Sequence, residues 1–388
     1  MTDLDTRMAP TGPSALRRAA PALLGYAAVR TLGLLALALW SGARDKSAYT
    51  LLTARWDALW YTRVAEQGYG YEVHMPNGDV HSNLAFFPLL PWLERLGAAL
   101  TPLSHADAGF AVSLLASFAA AWGIFAVADH VYGRRAGVCA VLLWAVLPVG
   151  IVQSMAYSES LFTALAAWSL YAVLTGRWLT AGTLALLAGL TRPVGIAVVA
   201  AVWAAGIASF VGDRSTPVPH GPRRATRALG MLLAPLGTAG YVLWVGHRTG
   251  KGPLGYLDVQ AGWRNGFDGG YAFARFVADK FTSFPSALAG VGLIVGVGLV
   301  AWLYVVCVRQ GQPLPLLVYG GVVTALALCA SSYFGSKPRL LLPAFPLLLP
   351  LALSLSRLRT PRSAGVLAGV AVASAVYGAF WLNGSGPP

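Results

Sequence analysis

Charged residues are scarce in this sequence. They make up 11% of its 388 residues, whereas 56% of the residues are apolar. An average soluble domain is roughly a quarter charged, so the composition argues against an ordinary soluble globule. Apolar blocks recur from Pro21 to Leu382. This pattern predicts a polytopic, all-α integral membrane protein, and it does not fit a soluble protein with a single anchor.

Cysteine and histidine are also few. The three cysteines lie inside apolar blocks and none has a CxxC partner, so the sequence predicts neither a disulfide framework nor a zinc site. Among the six histidines only His74 and His81 are close together, and a loop pair at that spacing is usually solvated. We therefore predict no metal site and no cofactor, while a loosely held divalent cation stays open.

The net charge of +13 does not indicate a nucleic-acid partner. The basic residues form short clusters between apolar blocks and build no sustained basic face. Such clusters are typical of charge sorted across a bilayer, and the expected surroundings are membrane lipids.

The chain 1–388 is expected to form one transmembrane domain. A bilayer core needs about 20 apolar residues as a helix. Residues 86–100 are apolar but short, and we interpret them as interfacial or re-entrant; if they cross, the number of spans rises from eleven to twelve. The eleven predicted spans lie near residues 21–41, 108–128, 136–154, 159–175, 178–191, 194–211, 228–246, 286–308, 314–333, 340–356 and 363–382.

Arginine clusters predict the orientation of the chain in the cell membrane. A cytoplasmic N-terminus places Arg134 and Arg135 inside, together with the Pro/Arg-rich linker 212–227 and the basic cluster near residues 357–362. The large first loop, 42–107, which carries interfacial helices, and the second loop, 246–285, then lie outside. Most acidic residues fall on that outer side, so we expect the chemistry there. Because this side offers little nucleotide sugar, an enzyme there would need a group delivered on a lipid.

Asp57 is the first candidate for that chemistry. No Pro or Gly interrupts residues 50–67, so this stretch predicts one helix that ends at Gly68. Thr53, Asp57 and Tyr61 would share its more polar stripe. From spacing alone, an ion pair of Asp57 with Arg55 or Arg63 among the lipid headgroups is slightly favoured over a catalytic role.

Four further ionisable residues stand out on the outer side. Glu159 lies at a helix start, where pairing with the helix dipole is a common structural role. Arg192 interrupts an apolar stretch that is barely long enough for two spans, and an arginine at such a break favours a polar cavity. Lys337 and Arg339, two residues apart, could grip a phosphate or anchor to headgroups. Arg30 lies near the middle of the first block, and the sequence does not decide its partner.

These motifs, in this order, resemble the PIG-V-type mannosyltransferases (GPI mannosyltransferase II and its bacterial relatives) of the GT-C superfamily. The matching stretches are Trp56-Asp57 with Gly68-Tyr69, Phe86-Phe87-Pro88 with Pro91, Tyr157 to Phe162, Arg192-Pro193 with Gly195, Gln260 with Trp263, and Lys337-Pro338-Arg339 leading to Pro343 and Pro346. The residues from His74 to Asn83 depart from the family pattern, which often has an acid before Phe-Phe-Pro; Glu72 is our candidate for that acid.

The resemblance implies a GT-C fold and an active site that faces away from the cytoplasm. The donor would be a polyprenyl-phosphate-linked mannose, the acceptor a lipid, glycan or protein, and Asp57 the catalytic base of an inverting transfer. Protein partners stay open. The implied contacts to the donor phosphate are Arg192, Lys337, Arg339 and Arg264. The implied contacts to the substrates are Trp56, Tyr61, Tyr69, Glu72, Glu159, Gln260 and Trp263.

Three alternatives to mannosyl transfer remain. A GT-C enzyme could carry another sugar, since the motifs do not encode the stereochemistry of the pocket. A sugar-lipid transporter would also be polytopic, although such proteins usually show internal repeats and none is visible here. A membrane scaffold without catalysis would tolerate replacement of Asp57 and Arg192.

Overall fold

The computed structural model describes residues 13–213, 221–384 and 386. This part of the chain is mostly helical, as the apolar blocks predict. The α-helices in it are α1 Pro13–Gly42, α2 Ala48–Thr53, α3 Asp57–Gln67, α4 Leu89–Leu100, α5 His105–Tyr132, α6 Arg134–Ala145, α7 Ser158–Leu174, α8 Trp178–Gly189, α9 Ile196–Asp213, α10 Gly221–Leu233, α11 Leu236–Thr249, α12 Gly255–Gly262, α13 Tyr271–Asp279, α14 Ser286–Arg309, α15 Leu314–Cys329, α16 Lys337–Leu340, α17 Leu349–Arg357 and α18 Thr360–Leu382.

The protein is a multi-pass membrane protein. Within the described residues six helices are long and apolar enough to cross a bilayer, or seven if the bent pair Phe334–Leu340 and Phe345–Arg357 forms one span. Each of the eleven predicted blocks is at least partly helical, but the count of eleven spans stays a prediction. The segment 86–100 contributes only α4, whose 12 residues extend about 18 Å as a helix and are too short to cross.

Helix α5 is at the centre of the bundle and packs against α6 and α7, while α1 packs against α18. The core is built from aromatic and small side chains, with Tyr26 and Trp144 fully buried and stacked at 5.6 Å between ring centroids. Arg30 on α1 is 5% exposed and donates hydrogen bonds to the carbonyl oxygens of Ala145 and Gly150. It therefore satisfies backbone acceptors at the break after α6.

Glycines allow α8 to approach α10 and α11 very closely. A Cβ on Gly237 would lie 1.9 Å from the carbonyl oxygen of Leu186, and one on Gly182 would lie 2.2 Å from that of Gly230. Only glycine fits such contacts between helix backbones. This packing sets the position of the C-terminal end of α8. It thereby also sets the position of Arg192, which follows that end in an extended conformation.

Two short antiparallel strand pairs organise the long loops. Strands β1 (Glu72–His74) and β2 (Val80–Ser82) pair in the first loop. Strand β3 (Gly266–Phe267) belongs to the second loop and pairs with β4 (Ala330–Ser331), which follows α15. The second loop is thereby tied to the segment that leads to Arg339.

The predicted linker 212–227 is described only in part. Residues 214–220 lie outside the described residues, as does the N-terminal Arg7. The basic residues that follow belong to α10, which starts at Gly221. Arg227 on this helix pairs with Asp213 at 2.8 Å.

Candidate active site

The predicted continuous helix over residues 50–67 is wrong. The helix is interrupted between α2 and α3, where Trp56 has φ 51°. The freed carbonyl oxygen of Leu52 accepts a hydrogen bond from the Ala156 amide at 2.9 Å. Tertiary contact thus overrides a local helix preference, and Asp57 becomes the first residue of α3, where the helix dipole favours a negative charge.

Four charged side chains from distant parts of the sequence meet at this point. The Arg339 Nη1 atom donates to Asp57 Oδ2 at 2.8 Å, and its Nε lies 3.4 Å from Glu159 Oε1. The Arg192 Nη1 atom lies 2.6 Å from the same Glu159 oxygen. We call Asp57, Glu159, Arg192 and Arg339 the charge cluster. Two carboxylates and two guanidinium groups make it neutral overall.

The cluster members differ in their exposure to solvent. The Glu159 side chain is 1% exposed, whereas Arg339 and Arg192 are 10% and 13% exposed and Asp57 is 25% exposed. Burying charges this deeply is costly unless they are paired, so each member depends on the others. Asp57 is the member nearest to solvent.

Three consecutive residues at the start of α7 hold the two arginines. The ring of Tyr157 lies 5.2 Å from the Arg339 guanidinium carbon, a cation–π distance. The Ser158 hydroxyl accepts from Arg192 Nη1 at 3.1 Å and lies 2.7 Å from the Tyr61 hydroxyl. Glu159 contacts both arginines, so the Tyr-Ser-Glu sequence works as one structural unit.

Lys337 and Arg339 do not meet, although the sequence suggested a joint grip on a phosphate. Because they lie two apart on the short helix α16, their side chains leave it in nearly opposite directions. The Lys337 ammonium donates to the carbonyl oxygens of Ala327 and Ala330 at 2.8 and 2.7 Å. It therefore caps the C-terminal end of α15, and only Arg339 reaches the charge cluster.

The aromatic candidates of the two long loops pack mainly on one another. Trp60 stacks on Phe86, and Trp263 packs edge-on against Trp60 at 4.8 Å. Trp263 also packs edge-on against Phe86 and stacks on His81 at 4.2 Å. The contact with Trp60 brings the second loop onto α3. Stacking of Trp263 on a sugar stays a prediction.

The remaining aromatic candidates also have protein partners. Tyr61 is 4% exposed and Tyr69 donates its hydroxyl proton to the Phe86 carbonyl oxygen at 2.9 Å. The guanidinium of Arg55 lies 3.9 Å from the ring of Trp56. Tyr61 therefore positions Ser158, and a stacking role of these rings on a sugar stays a prediction.

Three polar candidates lie outside the charge cluster. Gln260 donates to the Ala85 carbonyl oxygen at 3.4 Å and accepts from Asn265 at 2.9 Å. Arg264 is exposed and pairs with Asp79 at 2.6 Å. Glu72 lies on β1 and makes no contact with the charge cluster within the described ion pairs, so its substrate contact stays a prediction.

Glu72 lines a separate cleft of about 460 Å³. Ser82, Arg248, Lys251 and Asp258 also line it. Its lining carries both signs of charge, and its Lys251–Asp258 pair is loose at 3.9 Å.

Sequence reasoning missed Tyr157 and Ser158. Both lie in the stretch that carries the resemblance, beside Glu159, but neither carries a charge at neutral pH and neither residue type predicts a contact across the bundle. Among the described residues, no group of three or more His, Cys, Asp or Glu side chains is placed to hold a metal ion.

Comparisons with known proteins cover part of the chain, and the matched family segment contains Glu159 and Arg192 but not Asp57 or Arg339. Residues 83–220 match the family model described as dolichyl-phosphate-mannose-protein mannosyltransferase. The GPI alpha-1,6-mannosyltransferase 2 proteins of Rattus norvegicus and Mus musculus are each 32% identical to the chain over 168 residues, or 40% of this chain and 32% of the relative. The chain thus matches about a third of the length of these relatives. Over that segment the resemblance to PIG-V-type proteins is confirmed.

Solved structures give the fold over most of the chain. ArnT from Cupriavidus metallidurans bound to undecaprenyl phosphate superposes with a TM-score of 0.51 at 15% identity, over 89% of this chain and 61% of that one. The oligosaccharyltransferase AglB from Archaeoglobus fulgidus, in complex with an inhibitory peptide and a dolichol-phosphate, gives 0.50 at 11% identity, over 94% of this chain and 56% of that one. The chain has a GT-C fold. The GT-C fold predicted from the sequence is thereby confirmed.

Proposed function

We propose that this GT-C protein is a membrane mannosyltransferase. It takes mannose from a polyprenyl-phosphate-mannose donor and transfers it to a lipid-linked or protein acceptor on the non-cytoplasmic face of the cell membrane. The observation that carries the proposal is the charge cluster, in which a carboxylate at a helix start meets two buried arginines. The matches to mannosyltransferase relatives support the choice of sugar.

Asp57 is the general base of the proposed reaction. The acceptor hydroxyl oxygen attacks the anomeric carbon of the mannose, and the bond from that carbon to the phosphate oxygen breaks on the opposite side. The hydroxyl proton goes to the Asp57 carboxylate, and polyprenyl phosphate leaves with the bonding electron pair. One such displacement inverts the anomeric centre.

Arg339 and Arg192 bind the donor phosphate. The leaving phosphate gains negative charge, and guanidinium groups fixed beside it stabilise that change. Both arginines are largely buried and held by the Tyr157-Ser158-Glu159 unit, so they need little reorganisation. Lys337 and Arg264 are left out of this assignment because backbone carbonyls and Asp79 already hold them.

The test is transfer from polyprenyl-phosphate-mannose in reconstituted vesicles, with mass spectrometry of whatever gains a hexose. We expect Asp57→Asn to remain folded and to lose transfer by about 100-fold or more, the size of effect typical of general-base removal. The matched control is Asp129→Asn, which also removes a carboxylate paired with an arginine, Arg18, at 2.9 Å. It lies near the far end of α5, and we expect normal transfer.

Three results would contradict the proposal. A wild-type rate of transfer by Asp57→Asn would show that Asp57 is not the catalytic base. Transfer of a different sugar from its polyprenyl phosphate, with none from the mannose donor, would show that the donor carries that other sugar. Movement of the lipid donor across the vesicle bilayer without any hexose gain would favour a transporter.

A further inference from the structure

The proposed base and the proposed phosphate ligand are bound to each other in this structure. Arg339 donates to Asp57 at 2.8 Å. The Arg339 Nη1 atom that donates to Asp57 is not available to a phosphate, and the Asp57 Oδ2 atom that accepts from it is not available to a proton. The two assigned roles therefore compete for this contact.

Charge balance indicates when the pair separates. The cluster is neutral, and a donor phosphodiester adds one negative charge among side chains that are mostly buried. An unbalanced charge is unfavourable in such surroundings. The balance at the arginines is restored if one carboxylate moves towards water as the phosphate enters.

Asp57 is the carboxylate able to leave. Its side chain is 25% exposed, whereas Glu159 is 1% exposed and is shared by both arginines. Within the described structure Asp57 makes one ion pair, and it is the first residue of α3, after the interruption between α2 and α3. Glu159 lies in the first turn of α7 and contacts Arg192 at 2.6 Å.

Resting on the proposed function, we propose that the Asp57–Arg339 ion pair is an exchangeable latch that the donor phosphate opens. The phosphate takes the place of the Asp57 carboxylate on Arg339, while Glu159 and Ser158 keep Arg192 in position. The released Asp57 then becomes available to accept the proton of the acceptor hydroxyl. The enzyme thus binds the donor before it can deprotonate the acceptor.

The latch makes an unusual prediction for binding. If Asp57 competes with the phosphate for Arg339, removing its charge strengthens binding even though it abolishes transfer. A partly exposed ion pair contributes up to about 1 kcal/mol, so we expect undecaprenyl phosphate to bind Asp57→Asn and Asp57→Ala about fivefold more tightly than it binds the wild type. Asp57→Glu keeps the competing charge and should bind like the wild type.

The experiment measures binding of undecaprenyl phosphate to the purified full chain in nanodiscs, with no acceptor present. Asp129→Asn is the matched control, because it frees Arg18 in the same way far from the cluster, and its affinity should not change. Thermal melts of each variant confirm that it is folded. Two Asp57 variants without charge are included so that misfolding of one does not decide the result.

The outcomes separate this inference from the function on which it rests. Tighter binding by the uncharged Asp57 variants, with Asp57→Glu unchanged, supports the latch. If the wild type binds the lipid and the uncharged Asp57 variants bind it equally or more weakly, the latch is overturned and the proposed function is left in place. Absence of binding in the wild type and in every variant overturns the proposed donor and the latch together.

Discussion

Two buried arginines of this protein are held by different kinds of hydrogen-bond acceptor. Arg30 in α1 donates to the carbonyl oxygens of Ala145 and Gly150, which belong to the backbone. Arg339 instead contacts the side chains of Asp57 and Glu159. Backbone acceptors cannot leave without unfolding the helix end, whereas a carboxylate side chain can rotate away. A buried arginine with carboxylate partners is therefore suited to a ligand, and one with carbonyl partners is suited to structure.

The largest expected effect that tests this comparison is on transfer. We expect Arg339→Lys to lower the transfer rate about 100-fold, the loss typical of removing one electrostatic contact to the leaving group. Arg339 uses Nη1 for Asp57 and Nε for Glu159, and a single ammonium cannot occupy both positions. The measurement is the initial rate of mannose transfer by vesicle-reconstituted protein.

The control for Arg339 lies two residues away. Lys337→Met removes a charge from the same short helix, but that charge caps α15 and lies over the rings of Phe273 and Phe334, outside the charge cluster. We expect a lower melting temperature and unchanged transfer per folded molecule. Equal loss of transfer in the two variants would break the distinction between a ligand-binding and a structural cation.

An intermediate effect is expected at Arg30. Arg30→Met leaves two buried carbonyl oxygens without a donor, and we expect the free energy of unfolding to fall by about 3 kcal/mol. Transfer by the molecules that remain folded should match the wild type. Thermal unfolding in detergent, with transfer measured on the same sample, checks both parts. A selective loss of transfer would show that Arg30 belongs to the site.

The last effect concerns the pH dependence of stability at Glu94, a buried acid that makes no ion pair within the described residues. This α4 residue is 0% exposed, and burial, with a smaller contribution from Glu66, raises the pKa of its carboxyl from 4.5 to about 9. The folded protein keeps the proton that the unfolded chain releases above pH 4.5. Stability should therefore fall as pH rises from 4.5 to about 9 and then level off.

Glu94→Gln removes this titration and keeps the shape of the side chain. We expect the variant to lose that part of the pH dependence and to exceed the wild type in stability at pH 8. Melting curves from pH 5 to about pH 9 provide the comparison. Parallel curves for the two proteins would show that Glu94 is not held protonated by the fold.

The members of the charge cluster could be predicted from the sequence one at a time, but their pairing could not. Asp57 was expected beside Arg55 or Arg63, yet in the described structure those guanidinium groups lie over Trp56 and Tyr71. The cause is the break before α3, where a distant amide takes the Leu52 carbonyl. No local pattern encodes a contact across the bundle.

The fold itself was more predictable than the site. The length of apolar blocks and the breaks between them depend on local composition, and the break before α9 at Arg192 was predicted from length alone. The number of spans was harder, since blocks such as 340–356 bend by 74° relative to the preceding helix. Whether the side chains of Lys337 and Arg339 point in the same direction depends on the one-turn helix α16, and the nearby prolines make that helix hard to predict from the sequence.

The cluster also has a consequence for how the protein is made. Asp57 and Arg339 are 282 positions apart in the chain, and Glu159 and Arg192 lie between them. During synthesis the first carboxylate is already in place long before its arginine leaves the ribosome. The site can therefore assemble only after nearly every apolar helix has been inserted, so a chain arrested before α16 should be a membrane-integrated protein that cannot bind the donor. The bundle must therefore be complete before the proposed donor can bind.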